Sequence, residues 1–407
     1  MTQGPDQGIP PLYQNDNAAT PSISLPFSFC FYGQSFDSVF ISNNGIISFA
    51  HPVYNFINGG FPLGTDTLMI APFYADAYTH FTTGSVYYKI TPTHMIVRWN
   101  YVGFETFDQD YYNTFQLIIT NGADPILPGG NNVSFCYMDM QWATADNSGG
   151  FDGFGGIPAI VGINKGNGTN YAQGSTFNVP GITYYGPFAA FNGLHWLNDK
   201  SFVFNTCVTG NTIPPVILKS VQNCDTLFAC IADTLNIIAT FLYAQQGQTA
   251  TLAASYSGTS NLSILNTSTV NVIDSITVQL ITTIADTGIH VLTITATDNS
   301  IPAQISTLPF VVAVGNCTNG INEPITDSEF NVYPNPGIGS FTIENKDQYS
   351  FHNGEVKIYD IFGNEVYFSK LRTVKTEVNL SSCLKGIYFL KLSRENMPVV
   401  VKKIVIQ

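Results

Sequence analysis

Paired carboxylates could carry chemistry in this chain, and one such pair is Asp108 and Asp110, on a predicted loop from Glu105 to Asn113. Two carboxylates are the catalytic pair of most glycoside hydrolases, and the distance between them sets the stereochemical outcome. Spacing along the chain does not give that distance, and paired acids are common in surface loops. We therefore favour a loop without catalytic residues and expect the protein not to be an enzyme.

A third carboxylate, Asp76, stands among aromatic residues and is the candidate for ligand binding. It follows Tyr74 and precedes Tyr78. A carboxylate beside aromatic rings can contact a sugar or a metal ion. Such a residue more often accepts hydrogen bonds in a turn, so both interpretations stay open.

Other catalytic patterns are absent from the sequence. The six histidines show no His-Glu-x-x-His spacing, and there is neither a Gly-x-Ser-x-Gly turn nor a phosphate-binding Gly-x-x-x-x-Gly-Lys loop. Residues 1–324 contain five Lys and Arg against 19 Asp and Glu, a formal charge of −14, whereas residues 325–407 carry +1. An acidic body argues against nucleic-acid binding. It suits an extracellular surface and leaves calcium as a possible cofactor.

Seven cysteines allow disulfides if the chain is exported. We predict a bridge between Cys224 and Cys230, which could close a short loop. Connectivity cannot be read from sequence, so the pairs Cys30–Cys136 and Cys207–Cys317 are guesses. Cys383 is expected to be free.

The elements that must position these residues are strands. Alternating apolar and polar residues recur, as in residues 86–90, 95–99, 114–118 and 290–297, and Gly, Asn and Asp turns separate such runs. Asn43-Asn44-Gly45 between two such runs predicts a hairpin with a type I′ turn. The sequence predicts an all-β, multidomain chain of β-sandwich-like modules with little helix. Its predicted domains are residues 1–208, 211–317 and 325–407.

The C-terminal segment contains five blocks in a characteristic order: residues 331–336 (NVYPNP), 356–360 (VKIYD), 362–366 (FGNEV), 384–392 (LKGIYFLKL) and 401–407 (VKKIVIQ). This pattern resembles the type A C-terminal sorting domain of the type IX secretion system of Bacteroidota. The resemblance implies a small β-sandwich that the outer-membrane translocon reads, and a sortase that removes it and anchors the cargo to the surface. The implied sorting residues are Tyr333, Pro334, Asn335, Pro336, Gly363, Gly386, Tyr388, Lys402 and Lys403.

The first domain shows another ordered set of blocks: residues 25–33 (LPFSFCFYG), 39–49 (VFISNNGIISF), 70–76 (IAPFYAD), 84–88 (GSVYY) and 160–166 (IVGINKG). It resembles the nidogen-like extracellular domain, NIDO, which implies an adhesion or matrix module. Residues 124–156, rich in Gly and Asn, depart from that pattern. Within them Asp146 and Asp152 loosely resemble a calcium loop, but their spacing does not match an EF-hand, and we favour a flexible surface loop.

The middle domain ends in residues 286–299 (DTGIHVLTITATDN) and 308–314 (LPFVVAV), and resembles a cadherin-like or other immunoglobulin-like sandwich. In cadherin-like repeats the acid at the position of Asp298 can ligate calcium, which makes Asp298 and Asn299 candidate metal residues. A second acidic cluster is missing, so a solvated turn is favoured.

The chain contains no run of eighteen apolar residues, so we expect no membrane span. Its start lacks a signal peptide, and we expect that a leader has been removed. The resulting hypothesis is a non-enzymatic secreted or cell-surface protein that binds an extracellular glycan or protein through its nidogen-like domain. The alternatives are a self-assembling subunit of a surface layer or fibre, and a secreted enzyme that degrades glycans or proteins.

Overall fold

The computed structural model describes residues 17–56, 60–79, 84–104, 111–184, 186, 193–220, 226–259, 261–315, 330–345, 354–360, 365–371, 373–381, 383, 385–393 and 400–407. The chain divides into two compact units, Met1–Asn316 and Cys317–Gln407. Strands and three short 3-10 helices account for the regular structure of these ranges, which confirms the predicted all-β fold. Within the same ranges, no helix is long and apolar enough to span a membrane.

The described strands of the first unit are β1 (Ile23–Phe31), β2 (Gln34–Ser42), β3 (Ile46–Ser48), β4 (Thr65–Tyr74), β5 (Ala77–Tyr78), β6 (Ser85–Ile90), β7 (His94–Phe104), β8 (Asn113–Thr120), β9 (Val133–Asp139), β10 (Ala159–Asn167), β11 (Tyr171–Phe177), β12 (Lys200–Phe204), β13 (Val216–Ser220), β14 (Thr226–Cys230), β15 (Thr234–Leu242), β16 (Ala250–Tyr256), β17 (Asn261–Val270), β18 (Ile273–Ile281), β19 (Gly288–Asp298) and β20 (Ile305–Gly315). The 3-10 helices are Asp146–Ser148, Leu194–Leu197 and Ile284–Asp286.

These strands form three sheets. A six-stranded sheet has the order β1-β2-β3-β4-β10-β11, and a ten-stranded sheet has the order β17-β18-β15-β13-β12-β9-β8-β7-β5, with β6 also paired to β7. A four-stranded sheet has the order β14-β20-β19-β16. Only β14 and β20 are parallel among the described pairs of this unit. The predicted strands at residues 86–90, 95–99, 114–118 and 290–297 lie in β6, β7, β8 and β19.

The first core lies between the six-stranded sheet and one face of the ten-stranded sheet. It is rich in aromatic side chains. Trp99 stacks on Phe115 with ring centroids 5.1 Å apart, and Phe73 meets Trp142 edge to face at 5.8 Å. All four are buried. Large apolar side chains removed from water supply most of the stabilisation of such a fold.

The opposite face of the ten-stranded sheet belongs to a second core, which the four-stranded sheet covers. Successive residues alternate between the cores: Phe202 and Val216 lie in the first, Val203 and Ile217 in the second. Strands β12 and β13 pair directly, from Lys200↔Ser220 to Val203↔Ile217. A continuous sheet therefore crosses the predicted boundary between residues 208 and 211, and the two predicted modules share it.

The predicted hairpin around Asn43-Asn44-Gly45 is present, but its turn is not type I′. Ser42 pairs with Ile46, which leaves a three-residue loop, and of these three only Gly45 has a positive φ, +78°. A three-residue loop with glycine in the left-handed position is the next commonest hairpin. Asn43 and Asn44 are buried, and hydrogen bonds satisfy their side chains. The Asn43 amide donates to the Ala77 carbonyl at 2.7 Å, and the Asn44 amide oxygen accepts from the Ala77 N–H at 2.9 Å. The two amides thus fasten the hairpin to the start of β5.

The cysteine guesses Cys30–Cys136 and Cys207–Cys317 are wrong, because Cys30 is bonded to Cys207. The Tyr32 N–H donates to the Thr206 carbonyl at 2.7 Å, which holds the end of β1 beside the segment after β12. Cys136 is a free, half-buried thiol on the ten-stranded sheet, and burial raises its pKa. Cys383 is free, as predicted. Cys230 is in a disulfide, whereas Cys224, its predicted partner, lies outside the described residues.

The second unit is a two-layer sandwich, as predicted. Its described strands are β21 (Phe330–Tyr333), β22 (Ser340–Asn345), β23 (Gly354–Tyr359), β24 (Glu365–Leu371), β25 (Lys375–Asn379), β26 (Gly386–Ser393) and β27 (Val400–Ile406). They form one sheet with the order β21-β22-β25 and another with the order β24-β23-β26-β27. The core between them includes Phe341 and Val378 from the first sheet, and Ile358 and Leu390 from the second.

Candidate functional site

An open cleft on the first unit brings together residues from distant parts of the chain. Its volume is about 460 Å³, within the range of small-ligand sites. The residues that line it, which we call the aromatic cleft, are Tyr111, Gln141, Asp152, Phe154, Pro180 and His195. Aromatic faces beside a few hydrogen-bonding groups are typical of sites that orient a polar ligand.

One wall of the aromatic cleft is the tip of a tight hairpin, residues 151–154. Phe151 and Phe154 exchange backbone hydrogen bonds of 2.8 and 3.2 Å. Asp152 and Gly153 between them have φ of +54° and +82°, the positive values that a type I′ turn requires and that Asp-Gly tolerates. The turn presents the Asp152 carboxylate to solvent, and this carboxylate has no hydrogen-bond partner among the described residues. Phe151, which flanks the cleft, is 86 % exposed.

The stretch that carries this hairpin is tightly hydrogen-bonded, so the expected flexible surface loop is not what the structure shows. The backbone N–H groups of Ala143 and Thr144 both donate to the Gly153 carbonyl, at 2.8 and 2.9 Å. The Ile157 N–H donates to the Ser148 carbonyl at 2.9 Å. Ala143 is buried and pairs onward with Ala159 at the start of β10. Asp152 and Phe154 are therefore held in place before any ligand arrives.

Two polar side chains of the cleft are oriented by their partners. Gln141 accepts from the Tyr112 N–H at 3.0 Å and donates to Asp139 at 2.7 Å, which fixes its amide orientation. His195 accepts from the Gly181 N–H through Nδ1 at 2.7 Å. A neutral His195 therefore carries its ring proton on Nε2. The cleft thus contains an acceptor in Asp152 and a donor in His195.

The second unit places its first and last described segments side by side. Asn335 donates through its side-chain amide to the Lys403 carbonyl at 2.7 Å and accepts from the Val405 N–H at 2.9 Å. The Gly337 N–H donates to the Val405 carbonyl at 3.0 Å. Asn335 therefore acts as one more pairing residue along the edge of β27.

The other predicted sorting residues differ in their exposure and in their contacts. Tyr333 is 40 % exposed and donates to Glu344 at 2.9 Å, whereas Tyr388 is buried in the core. Pro334 and Pro336 flank Asn335, and both follow cis peptide bonds. Gly386 begins β26, Lys402 and Lys403 lie on β27, and Gly363 lies outside the described residues.

Comparison with known families gives a family match for the N-terminal part of the chain and another for its C-terminal part. Residues 6–205 match the family described as NIDO related, and residues 331–407 match the secretion system C-terminal sorting domain. The chain carries a NIDO-related head and a secretion sorting domain. It is therefore a secreted or cell-surface protein, exported by the type IX secretion system, and its sorting domain interacts with that machinery.

Curated relatives of the head include alpha-tectorin. The protein from Mus musculus is 28 % identical over 201 residues, which cover 42 % of this chain and 9 % of that protein. The protein from Gallus gallus is 28 % identical over 195 residues, which cover 41 % and 9 %. The chain thus spans less than a tenth of the length of these relatives.

Solved structures give weaker likenesses. The DIP-gamma IG1+IG2 structure is 11 % identical, covers 44 % of this chain and 92 % of that chain, and has a TM-score of 0.14. Dimeric latent PorU from Porphyromonas gingivalis is 15 % identical, covers 77 % and 31 %, and has a TM-score of 0.17. Scores this low carry no conclusion about the sorting domain or the head.

The ligand-binding residues predicted in the NIDO-related head do not line the aromatic cleft. Tyr74 is fully buried and donates to the Asn55 carbonyl at 3.0 Å, so its prediction as a ligand contact is wrong. Asp76 accepts from the Ser148 hydroxyl at 3.2 Å, which ties it to the 3-10 helix at Asp146–Ser148. Tyr78 is half-buried on β5, opposite Gly103. Asp108 and Asp110 lie outside the described residues.

The predicted calcium residues Asp298 and Asn299 make hydrogen bonds that hold a turn together. One Asp298 oxygen accepts from the Ser300 hydroxyl at 2.6 Å and from the Gln304 N–H at 2.7 Å, and the other accepts from Gln248 at 3.0 Å. Asn299 bonds to the backbone of Thr249 and Gly247. These hydrogen bonds give Asp298 a structural role in the turn, and a calcium role for it stays a prediction. Across the described ranges, no three His, Cys, Asp or Glu side chains gather into a metal site.

Sequence reasoning missed most of the aromatic cleft of the NIDO-related head. Its residues are spread from Tyr111 to His195 and form no local motif. The one available signal was Asp152-Gly153 between two phenylalanines, because Asp-Gly between apolar residues predicts a tight turn.

Proposed function

We propose that the protein is a non-enzymatic surface adhesin whose NIDO-related head binds a glycan in the aromatic cleft. The observation that carries the proposal is the combination of aromatic rings and oriented polar groups on a hydrogen-bonded frame. The rings of Tyr111 and Phe154 offer flat faces to the C–H faces of a pyranose. Asp152, Gln141 and His195 offer an acceptor, a fixed amide and a ring nitrogen to its hydroxyl groups.

The charge of the head narrows the class of glycan. Among the described residues that line the cleft, Asp152 is the one carboxylate and none is Lys or Arg. The body of the protein is strongly acidic. Sulfated or uronic sugars would be repelled, so the ligand is a neutral or amino sugar.

The support for glycan over protein ligands is the shape of the site. Protein interfaces usually bury about 800 Å² on each partner around aromatic or Arg anchors. The aromatic cleft is a local concavity with one strongly exposed aromatic residue, Phe151, at its side. This arrangement suits one or two sugar rings.

Binding of the full chain to an array of neutral, amino and acidic glycans together with matrix proteins tests the proposal. Wild type is expected to retain neutral or amino glycans equally in calcium and in chelator. Phe151→Ala, Tyr111→Ala and Asp152→Asn are each expected to weaken binding about tenfold. Asp152→Asn keeps a residue that tolerates the turn.

Tyr54→Ala is the matched control, because Tyr54 is 51 % exposed and lies outside the cleft lining. It should bind as wild type does. Retention of matrix proteins without glycans, or equal loss in the control, would reject the cleft as a glycan site. Release of fragments from a bound glycan would show instead that the protein is an enzyme.

We also propose a sortase as a partner, on the resemblance of the sorting domain to type A tails. The mass of the form recovered from the cell surface tests this. A mature chain that lacks residues 331–407 supports cleavage, and an intact chain rejects it.

A further inference from the structure

Strand β17, Asn261–Val270, is an unprotected end of the ten-stranded sheet. Among the described strands it pairs with β18 alone. Its ten residues include no charged residue and no proline, the usual devices that prevent strand edges from pairing with other chains. Of the other described edge strands of the first unit, β1 contains Pro26, β6 contains Lys89 and β14 has five residues. Strands β11 and β16 also lack charge and proline, but each has seven residues against the ten of β17.

The face of β17 that turns toward the second core is also incompletely covered. Ile264 and Leu265 are 49 and 53 % exposed. Ile264 lies opposite Val278 on β18, which is fully buried, whereas Leu265 is an extra residue with no partner of its own on β18. An added strand would therefore gain backbone hydrogen bonds along the edge and cover apolar side chains beside it.

The register of β17 suits an antiparallel copy of itself. Leu265 is an extra residue opposite β18, so the alternation of faces shifts by one at that point. Ile264 and Thr267 therefore share the inner face, whereas Ser263 and Ser268 share the outer face. A two-fold axis beside Leu265 pairs Ile264 with the second copy's Thr267 and Ser263 with its Ser268, and both of these pairs match in face.

We propose that β17 is a self-association edge, at which two copies of this protein join their ten-stranded sheets by an antiparallel β17–β17 pair. The self-complementary register supports a second copy as the occupant. The strand itself carries no charge, so no like charges face each other across the pair, although the acidic bodies on either side repel one another. The interface is isologous and closes as a dimer.

One strand pair buries less area than the roughly 1,600 Å² of a standard interface. The association is therefore weak and depends on concentration. A protein held at a cell surface meets its neighbours at a high effective concentration, so a weak edge can suffice there.

Sedimentation of the full chain over a concentration series tests the proposal with paired charge variants. Ser263→Lys with Ser268→Lys places like charges opposite each other in the dimer, whereas Ser263→Lys with Ser268→Glu places opposite charges there. Wild type should shift toward twice its monomer mass. The Lys/Lys variant should associate about tenfold more weakly, and the Lys/Glu variant at least as tightly as wild type.

Ser35→Lys, an exposed position on β2, controls for added charge and should dimerise as wild type does. A wild type that stays monomeric at every concentration overturns the proposal. Equal association by the Lys/Lys and Lys/Glu variants rejects the register, and growth beyond a dimer rejects the two-fold pairing. Far-UV circular dichroism of each variant establishes that it is folded.

Discussion

Asp298 and Asp124 are buried carboxylates of the first unit whose roles come from the hydrogen bonds they accept. Asp298 organises the turn between β19 and β20. Asp124 accepts from the Thr93 hydroxyl, from the Ile126 N–H at 2.9 Å and from a ring nitrogen of His94. Neither structural role could be predicted from the sequence, because the hydrogen-bond donors are mostly backbone groups or residues far along the chain.

Asp298→Ala is expected to lower the free energy of unfolding by about 3 kcal/mol, because it leaves buried donors without an acceptor. Asp298→Asn keeps one acceptor oxygen, so it should lower the free energy of unfolding by less. Urea denaturation with and without calcium measures both effects. A stability that rises with calcium in wild type but not in Asp298→Ala would support the metal hypothesis.

The hydrogen bonds of Asp124 predict that the protein loses stability at low pH. Hydrogen bonds from Thr93, Ile126 and His94 lower the pKa of Asp124 to about 2, below the roughly 3.9 of an unfolded aspartate. A depressed folded pKa adds stability above the unfolded value, and that stability is lost as the pH falls toward 2. Asp124→Asn should therefore be less stable than wild type at pH 5, with the difference narrowing between pH 4 and 2. A constant difference across that window, measured by denaturant unfolding, would disprove the assignment.

At the scale of elements, the hairpin at residues 151–154 positions the cleft through one glycine. A Cβ on Gly153 would lie 2.9 Å from Cβ of Trp142, whereas a Cβ on Gly155 would meet nothing within 4 Å. Both glycines have similar positive φ, +82° and +86°, so the backbone strain of an alanine is comparable at the two positions.

Gly153→Ala should therefore destabilise the protein by about 1–3 kcal/mol more than Gly155→Ala, because of the added crowding. It should also weaken glycan binding more than Gly155→Ala does, since it displaces the Asp152 turn. Thermal unfolding and the glycan array provide the two measurements. Equal effects of both changes would mean that Trp142 does not constrain the turn.

The disulfide between Cys30 and Cys207 closes a separation of 177 residues. Bridges across long loops restrict the unfolded chain most in the chain-entropy account, so loss of this one should lower the free energy of unfolding by about 5 kcal/mol. The double variant Cys30→Ser, Cys207→Ser measures the cost by urea unfolding. Cys136→Ser, which removes a free thiol, is the comparison, and a double variant no less stable than Cys136→Ser would contradict the prediction.

Sequence alone predicted the elements better than their assembly. Alternation located β6 and β19 because strand periodicity is local. It could not pair Cys30 with Cys207, nor bring Tyr111 beside His195, because those contacts depend on how the sheets stack. The shared sheet was missed for a related reason. A linker such as residues 211–215 looks the same whether it joins two independent modules or two neighbouring strands.

At the scale of the whole molecule, the shared sheet decides which pieces can stand alone. Residues 1–208 would leave β12 without its partner β13 and would expose the side of the sheet that includes Ile118 and Val203. We expect that fragment to aggregate or to unfold without cooperativity. Residues 1–324 should unfold in one transition, and the full chain should show a separate transition for its second unit.

Calorimetry of the three chains provides the measurement. A soluble 1–208 fragment with its own sharp transition would show that the head is independent of the residues after it. Two transitions within residues 1–324 would lead to the same conclusion.

The shared sheet also has a mechanical consequence for the adhesin that we propose. Hydrogen-bonded strands run without interruption from β5 in the head to β17 beyond residue 260. A pull on the aromatic cleft therefore meets no hinge near residue 210. The load spreads over many backbone hydrogen bonds and two packed cores, so the first unit stretches as one stiff body.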